Sequence, residues 1–528
     1  MSGGIGRASA FLASGTIVSR VLGFVKAILL AQAIGVVGSR SADAYTASTY
    51  VPSSIYAIIG GGLLSAVLVP QIVRASRGGD GGAAYINKLV TVALVLFAAV
   101  TVLATLSAPV LIDIAGARSP LATAFAYWSL PQIFFLGLYA VLGEVLNARR
   151  SFGPFTWVPV VNNVIGITSI LLFMSIYGDR VTSDEGWSFG MIALLAGGAT
   201  LGLVLQGSLL FLFWRRIGLR YRPDFRWRGV GLGTAGTTAL WTLGMLIATQ
   251  IAGLIEFNVS QSATGRGASS AALQNAWLLF MLPHSVITVS LVTAFYTRMS
   301  EHAAAADTVA FGRDVGTALR TVAVLLTFAS SALVVGAVLF ARFFADDLAE
   351  SVQLGLVITC YALGLVPFSL LFVVQRAFYA QGDTRTPFFF TLAQVVVVIF
   401  GVLVASTLPT TQIAAGIALV VTGATLFQLV LAGILLARRI GWSAHRLPAT
   451  LLRSFAAAVP AVAAGWLITG VLGGRSEDGF AMLGLPQALL ALAATGTAMA
   501  LVYAAVLAIL RAPEISLVSA ALGRFRRR

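Results

Sequence analysis

Cysteine is almost missing from this chain. Cys360 stands alone among 528 residues, so no intrachain disulfide forms and no thiolate metal site assembles. Histidine is nearly as scarce: His284, His302 and His445 lie far apart with no ligand spacing, which implies neither a metal nor a cofactor. The glycine runs SGG from Ser2 and GGDGG from Gly78 are not followed by the Gly-Lys-Ser/Thr of a phosphate loop, so an ATPase is excluded and no enzyme signature is left. Charge is thin as a whole at 10%, and acids are the scarcer sign, with 19 Asp+Glu against 34 Lys+Arg and a net charge of +15.

What fills the chain is apolar. A hydrophobic share of 58% and a mean hydropathy of +0.93 exclude a soluble core and define an all-α polytopic membrane protein. At about 20 apolar residues per span, the chain reads as roughly fourteen transmembrane helices. The first two end near Gly35 and Pro70; the next four cover 84–114, 121–146, 155–177 and 191–214. Six more are expected at 237–259, 271–296, 315–340, 354–380, 387–407 and 413–437, and a last pair at 452–472 and 485–510. The first apolar run carries Arg20 and Lys26 and leads directly into further spans, so it reads as a retained helix and not a cleaved signal.

The cations sort by loop. Those after even-numbered helices are basic, as with Arg74 and Arg77, Arg149 and Arg150, Arg215 to Arg228, Arg376 and Arg385, Arg438 and Arg439, and the tail Arg524 to Arg528. Loops after odd-numbered helices mix single arginines with acids such as Asp179, Asp184, Asp346 and Glu477. Excess Lys and Arg mark the cytoplasmic side, so both termini are expected in the cytoplasm of a cell-membrane protein. The basic balance is thus topology, and nucleic acid is not an expected partner.

Two landmarks repeat at one offset. Pro52-Ser53-Ser54-Ile55 in the second helix parallels Pro283-His284-Ser285-Val286 in the eighth, 231 residues on. The turn NARRSFGPF from Asn147 parallels RAFYAQGDTRTPF from Arg376, with Pro154 and Pro387 separated by 233. Repeats in transporters describe architecture. The expectation is two pseudo-symmetric six-helix lobes, 1–218 and 219–446, then a helix pair at 447–511. An amphipathic basic tail follows at 512–528, suited to anionic headgroups.

The chemistry concentrates between Ser14 and Pro70. A cation near mid-bilayer costs about 2.5–3.5 kcal/mol even on the lenient insertion scale, so it faces a bundle interior or a wet cavity. Arg20 and Lys26 in one span therefore imply an anion-accepting cleft, where charge-assisted hydrogen bonds offset the desolvation of a phosphate. For Arg20 the other reading is a structural arginine that snorkels. For Lys26 an interfacial lysine stands beside the cavity one. Asp43 either gates an outer mouth with a cation or caps the second helix. Glu144, above Asn147 and Arg149, either latches an inner gate or makes a helix-end ion pair. In the second half, Gln274, Asn275 and His284 either contact a sugar or peptide group or serve packing.

Several stretches resemble the MurJ/MviN lipid II flippases of the multidrug/oligosaccharidyl-lipid/polysaccharide exporter superfamily. These are SRVLGF at 19–24, ADAY at 42–45, Val51-Pro52, VPQIVRA at 69–75 and the two proline turns. The resemblance implies a lipid-linked peptidoglycan precursor, lipid II, moved from the cytoplasmic to the outer leaflet by alternating access. It places Arg20, Lys26, Ser19, Asp43 and Tyr56 at the substrate, and implies cell-wall synthesis or division proteins as neighbours. Departures are visible: Tyr56 and the region of Leu278 stand where many members carry arginine, and Val395 to Gly401 offers no sodium ligands. A drug or polysaccharide exporter of the same fold is the rival within transport, and a transport-inactive cell-wall scaffold is the rival outside it.

Overall fold

The structure, a computed structural model of the chain, describes residues 2–64, 83–149, 151–214, 220–225, 237–440 and 446–513. The basic loop arginines at 74, 77, 215 and 228 and the tail from 514 onward lie outside them, as does all of VPQIVRA. Among these residues every long element is a helix: α1 Ser2–Ile34, α2 Arg40–Tyr56, α3 Ala83–Leu106, α4 Pro120–Asn147, α5 Phe152–Tyr177, α6 Phe189–Trp214 and α7 Thr237–Gln261. They continue as α8 Ser270–Ala304, α9 Thr308–Ala341, α10 Leu348–Ala380, α11 Arg385–Ala405, α12 Ile413–Ile440, α13 Arg446–Val471 and α14 Leu485–Ile509.

Thirteen of these helices are long and apolar enough to cross a membrane. The one that falls short is α2, whose sequence, RSADAYTASTYVPSSIY, is dominated by serine, threonine and alanine. Its polar residues are turned inward: Ser41, Asp43, Thr46 and Ser48 are all buried. A lipid-facing helix with that composition would leave hydroxyls in hydrocarbon, so α2 exists as a helix because neighbours cover it. It packs on α4, where the Ser48 and Ser129 hydroxyls meet at 3.3 Å.

Three helices read as continuous in sequence are interrupted. The third span ends at Leu106, and a separate short helix, Ala108–Ile114, follows Ser107. The fourth is divided into Pro120–Ser129 and Gln132–Ala148, because Pro131 has no N–H to give. The tenth is divided into Leu348–Ala362 and Leu365–Ala380 around Gly364. Wide π turns follow both repeat prolines: Ala57–Leu64 after Pro52 and His284–Val289 after Pro283.

The chain forms two compact units, 1–265 and 266–528. In the first, α1 packs along α5, α5 along α6, α6 along α4, and α7 against the π turn that follows α2. That boundary groups α7 with the first six helices. In the second unit, α9 is central and touches α8, α10, α13 and α14. The closing pair is seated on it through Val324, Val335, Ala457, Ala461 and Met499, and the Tyr503 hydroxyl donates to the Val324 carbonyl at 2.8 Å. Gly465 permits the approach, since a Cβ there would lie 2.7 Å from the Met499 sulfur. Between membrane helices such packing and hydrogen bonding, not burial from water, is the source of cohesion.

Candidate substrate site

On α1, Gly15, Ser19 and Gly23 recur every four residues and so line one face. That face meets α5: a Cβ on Gly15 would lie 2.8 Å from the Trp157 indole nitrogen, and one on Gly23 would lie 3.8 Å from Asn163. Asn163 Nδ2 donates to the Ser19 carbonyl at 2.8 Å and to its hydroxyl at 3.3 Å. Small residues let the backbones close, and a side-chain amide then crosses the seam.

Lys26 belongs to the same face. Its aliphatic stem lies over Gly166 of α5, where a Cβ would fall 2.7 Å from Cδ and 3.5 Å from Nζ. Arg20 lies six residues earlier, which at 3.6 residues per turn is about 120° around the axis. Its side chain is exposed beside Ile17, Val18 and Val21. The two cations therefore share a helix but not a direction: Lys26 is seated in the α1–α5 seam and Arg20 projects away from it.

Asp43 is 1% exposed in the first turn of α2. The cap itself is Ser39, which accepts from the Ala42 amide at 3.1 Å; Asp43 is a first-turn carboxylate near the positive end of the helix dipole. The segment after α5 straps this corner down. Ser41 N–H donates to the Thr182 carbonyl at 3.2 Å, the Val181 amide to Ala33 at 3.0 Å, and Arg40 reaches Asp184 at 3.6 Å. Trp187 closes the strap, stacking on Phe173 with ring centroids 5.6 Å apart and donating to the Ser183 carbonyl. Gly116, with φ +83, allows Asn258 of α7 to donate to the Ile114 carbonyl at 3.0 Å.

At the other end of α2, the Tyr56 ring covers Gly60, where a Cβ would come within 2.4 Å. Glu144, half-buried on α4, is within electrostatic reach of Tyr56, and Tyr139 is on the same side. Tyr139 is held by a stack on Phe155 at 4.9 Å and by donation to its carbonyl at 2.8 Å. Asn147 is partly exposed one turn beyond Glu144. Tyr56 thus lies within electrostatic reach of both Glu144 and Tyr139 of α4; the sequence sets Glu144 beside its chain neighbours only and gives no sign of Tyr139.

In the second unit, the three candidates on α8 have different surroundings. Gln274 is exposed. Asn275 bonds back to the Ala271 carbonyl at 2.8 Å. His284 is 2% exposed, with Nδ1 2.9 Å from the Ser369 hydroxyl and Phe368 and Phe372 against its ring. It is enclosed by α10, and its partner is a side chain, not a backbone carbonyl.

The family model described as lipid II flippase MurJ matches residues 30–512. Among curated proteins, the probable lipid II flippase MurJ of Rickettsia prowazekii is 22% identical over 416 residues, 74% of this chain and 76% of that protein. Its namesake in Vibrio cholerae serotype O1 is 26% identical over 401 residues, 70% of this chain and 72% of that one. Among solved structures, lipid II flippase MurJ in an inward closed conformation superposes with a TM-score of 0.74 at 18% identity, covering 96% of this chain and 99% of that one. An inward-facing multidrug resistance transporter of the MATE family follows at 0.61 and 13% identity, covering 80% and 94%. These likenesses show the fold.

Proposed function

Because the chain belongs to the lipid II flippase MurJ family, we propose that it moves the lipid-linked peptidoglycan precursor from the cytoplasmic to the outer leaflet by alternating access. The single observation that carries this reading is the family match over residues 30–512. No covalent step is required: the task is to carry a pyrophosphate-sugar head through hydrocarbon, which is a problem of desolvation. Both termini are assigned to the cytoplasm of the cell membrane, on the distribution of loop arginines. The lobes are assigned to 1–218 and 219–446, followed by the pair to 511 and a basic tail. Neighbours in cell-wall synthesis or division belong to the same proposal.

Within this reading Arg20 is the pyrophosphate ligand. Its exposure on α1 and its planar two-pronged donor set support the role. Lys26 adds positive field from the α1–α5 seam, Ser19 holds α1 to α5, and Asp43 and Tyr56 bound the path at the two ends of α2. Glu144 and Asn147 act at the inner gate. The experiment is depletion of the protein in its host with rescue by wild type or Arg20→Ala, scoring lipid II exposed at the outer leaflet. Wild type restores exposure, and Arg20→Ala lowers it on the order of tenfold at equal membrane abundance, the scale of a lost charge-assisted hydrogen bond. Equal rescue by both removes Arg20 from the site; no effect of depletion removes the flippase reading.

A further inference from the structure

The two interrupted helices α4 and α10 are repaired in the same way. The break in α4 falls at Leu130-Pro131 and that in α10 at Leu363-Gly364, 233 residues later. At each break a backbone carbonyl is left without its helical amide. In α10 the Gly364 amide turns to Tyr361 at 2.8 Å and leaves the Cys360 carbonyl. The Thr422 hydroxyl of α12 donates to that carbonyl at 2.8 Å. In α4 the Thr200 hydroxyl of α6 donates to the Trp128 carbonyl at 2.7 Å, and accepts from Gln132 Nε2 at 2.8 Å, so one oxygen ties both sides of the break.

The correspondence extends along the helices that supply the hydroxyls. Thr200 is followed six residues later by buried Gln206, and Thr422 six residues later by buried Gln428. Among the described residues, threonines such as Thr327, Thr359 and Thr425 bond back to a carbonyl four residues earlier in their own helix; Thr200 and Thr422 reach across to another helix. The break in α10 is also shaped to receive its partner, because a Cβ on Gly364 would fall 2.6 Å from the Thr422 hydroxyl oxygen. Ser330 of α9 takes the Ala362 carbonyl next to it at 2.7 Å.

We propose that Thr200 and Thr422 are matched positioning residues: each bonds a carbonyl on the N-terminal side of the break in its lobe's fourth helix, Thr200 also reaching Gln132 on the far side and Thr422 seating against Gly364, so that the break acts as a fixed pivot when the helix bends during transport. Irregular backbone at membrane depth persists only where protein satisfies it, and a hydroxyl does so while leaving the angle between the halves free. The proposal rests on the transport reading above for its functional arm and on the hydrogen bonds for its structural arm.

The test uses the full-length protein with Thr200→Val, Thr422→Val and the double variant, which keep the shape and remove the hydroxyl, and Thr200→Ser and Thr422→Ser, which keep the hydroxyl. Two readouts are taken: lipid II exposure per folded molecule in depleted cells, and amide hydrogen exchange of 128–134 and 360–368 in the purified protein. Each valine variant speeds exchange at its own break and lowers transport by roughly three- to tenfold, the range that interhelical hydrogen bonds in membranes span; serine restores both. Unchanged exchange in the valine variants overturns the proposal. So does faster exchange with unchanged transport, which would leave a static repair, and so does equal loss in valine and serine, because a retained hydroxyl would then restore nothing. If wild type itself exposes no lipid II, the flippase reading fails, while the exchange contrast still judges the staples.

Discussion

Glycine and lysine meet on α5 in a way that separates packing from charge. A Cβ added to Gly166 would press on the flexible stem of Lys26, which swings aside at small cost. A Cβ added to Gly137 would lie 2.4 Å from the ring of Phe97, which is fully buried and has nowhere to go. Gly137→Ala is therefore expected to destabilise by about 1–3 kcal/mol, the usual cost of overpacking a filled interior, and Gly166→Ala by clearly less. Thermal unfolding of the two variants in one detergent checks the order. Under the transport reading, Gly166→Ala still lowers lipid II exposure, because it moves the Lys26 charge out of the seam. Arg20 and Lys26 were both legible in the sequence as cations in a span. That they point about 120° apart follows from helix geometry, and that the seam belongs to Lys26 required the position of α5.

At the scale of elements, the turn between α10 and α11 shows how a proline-bearing loop is fixed. Asp383 accepts from the Thr386 amide at 3.0 Å and the Thr386 hydroxyl at 2.7 Å, and pairs with Arg439 of α12. Burial by itself would raise its carboxyl, but the bonds from Thr386 and the pairing with Arg439 outweigh it and hold the folded-state value below the ordinary 3.8. A carboxylate lowered on folding stabilises the fold at pH above its unfolded value, and that contribution is lost as pH falls through the folded one. Asp383→Asn should melt below wild type at pH 7, with the gap closing as both are taken to pH values under 3.8. A constant gap at all pH values would assign the effect to shape and not to charge. The sequence showed the turn through its Gly-Asp and its proline; Arg439, 56 residues away, was visible only as one more basic residue at a helix end.

For the molecule as a whole, the chain offers a clean probe of its own topology. Cys360 is 5% exposed, so wild type should react little with a membrane-impermeant thiol reagent. Cysteines placed at Asp346 and at Arg475 should label from outside intact cells, and one at Asp307 only after the membrane is opened. The reverse pattern would overturn the assignment of both termini to the cytoplasm. The contact-defined units, meeting at 265, do not coincide with a division at 218, because α7 packs on the π turn of α2. Repeat and packing are different properties: the first is a relation between sequences, the second a relation between surfaces in one conformation.

By itself the sequence determined the membrane class, the succession of helices and the offset between halves, because hydropathy and proline spacing are written residue by residue along the chain. It also contains Thr200 and Gln206, Thr422 and Gln428, each pair six residues apart, which nothing in the proline spacing marks. Only the tertiary structure decided what interrupts α4 and α10 and which hydroxyls repair them. A threonine in an apolar span looks the same whether it bonds to its own helix or to a neighbour's broken backbone, and the choice depends on which carbonyl is brought within 3 Å. The same holds for α2, which the sequence places as the second span but whose polar residues only the enclosing partners account for.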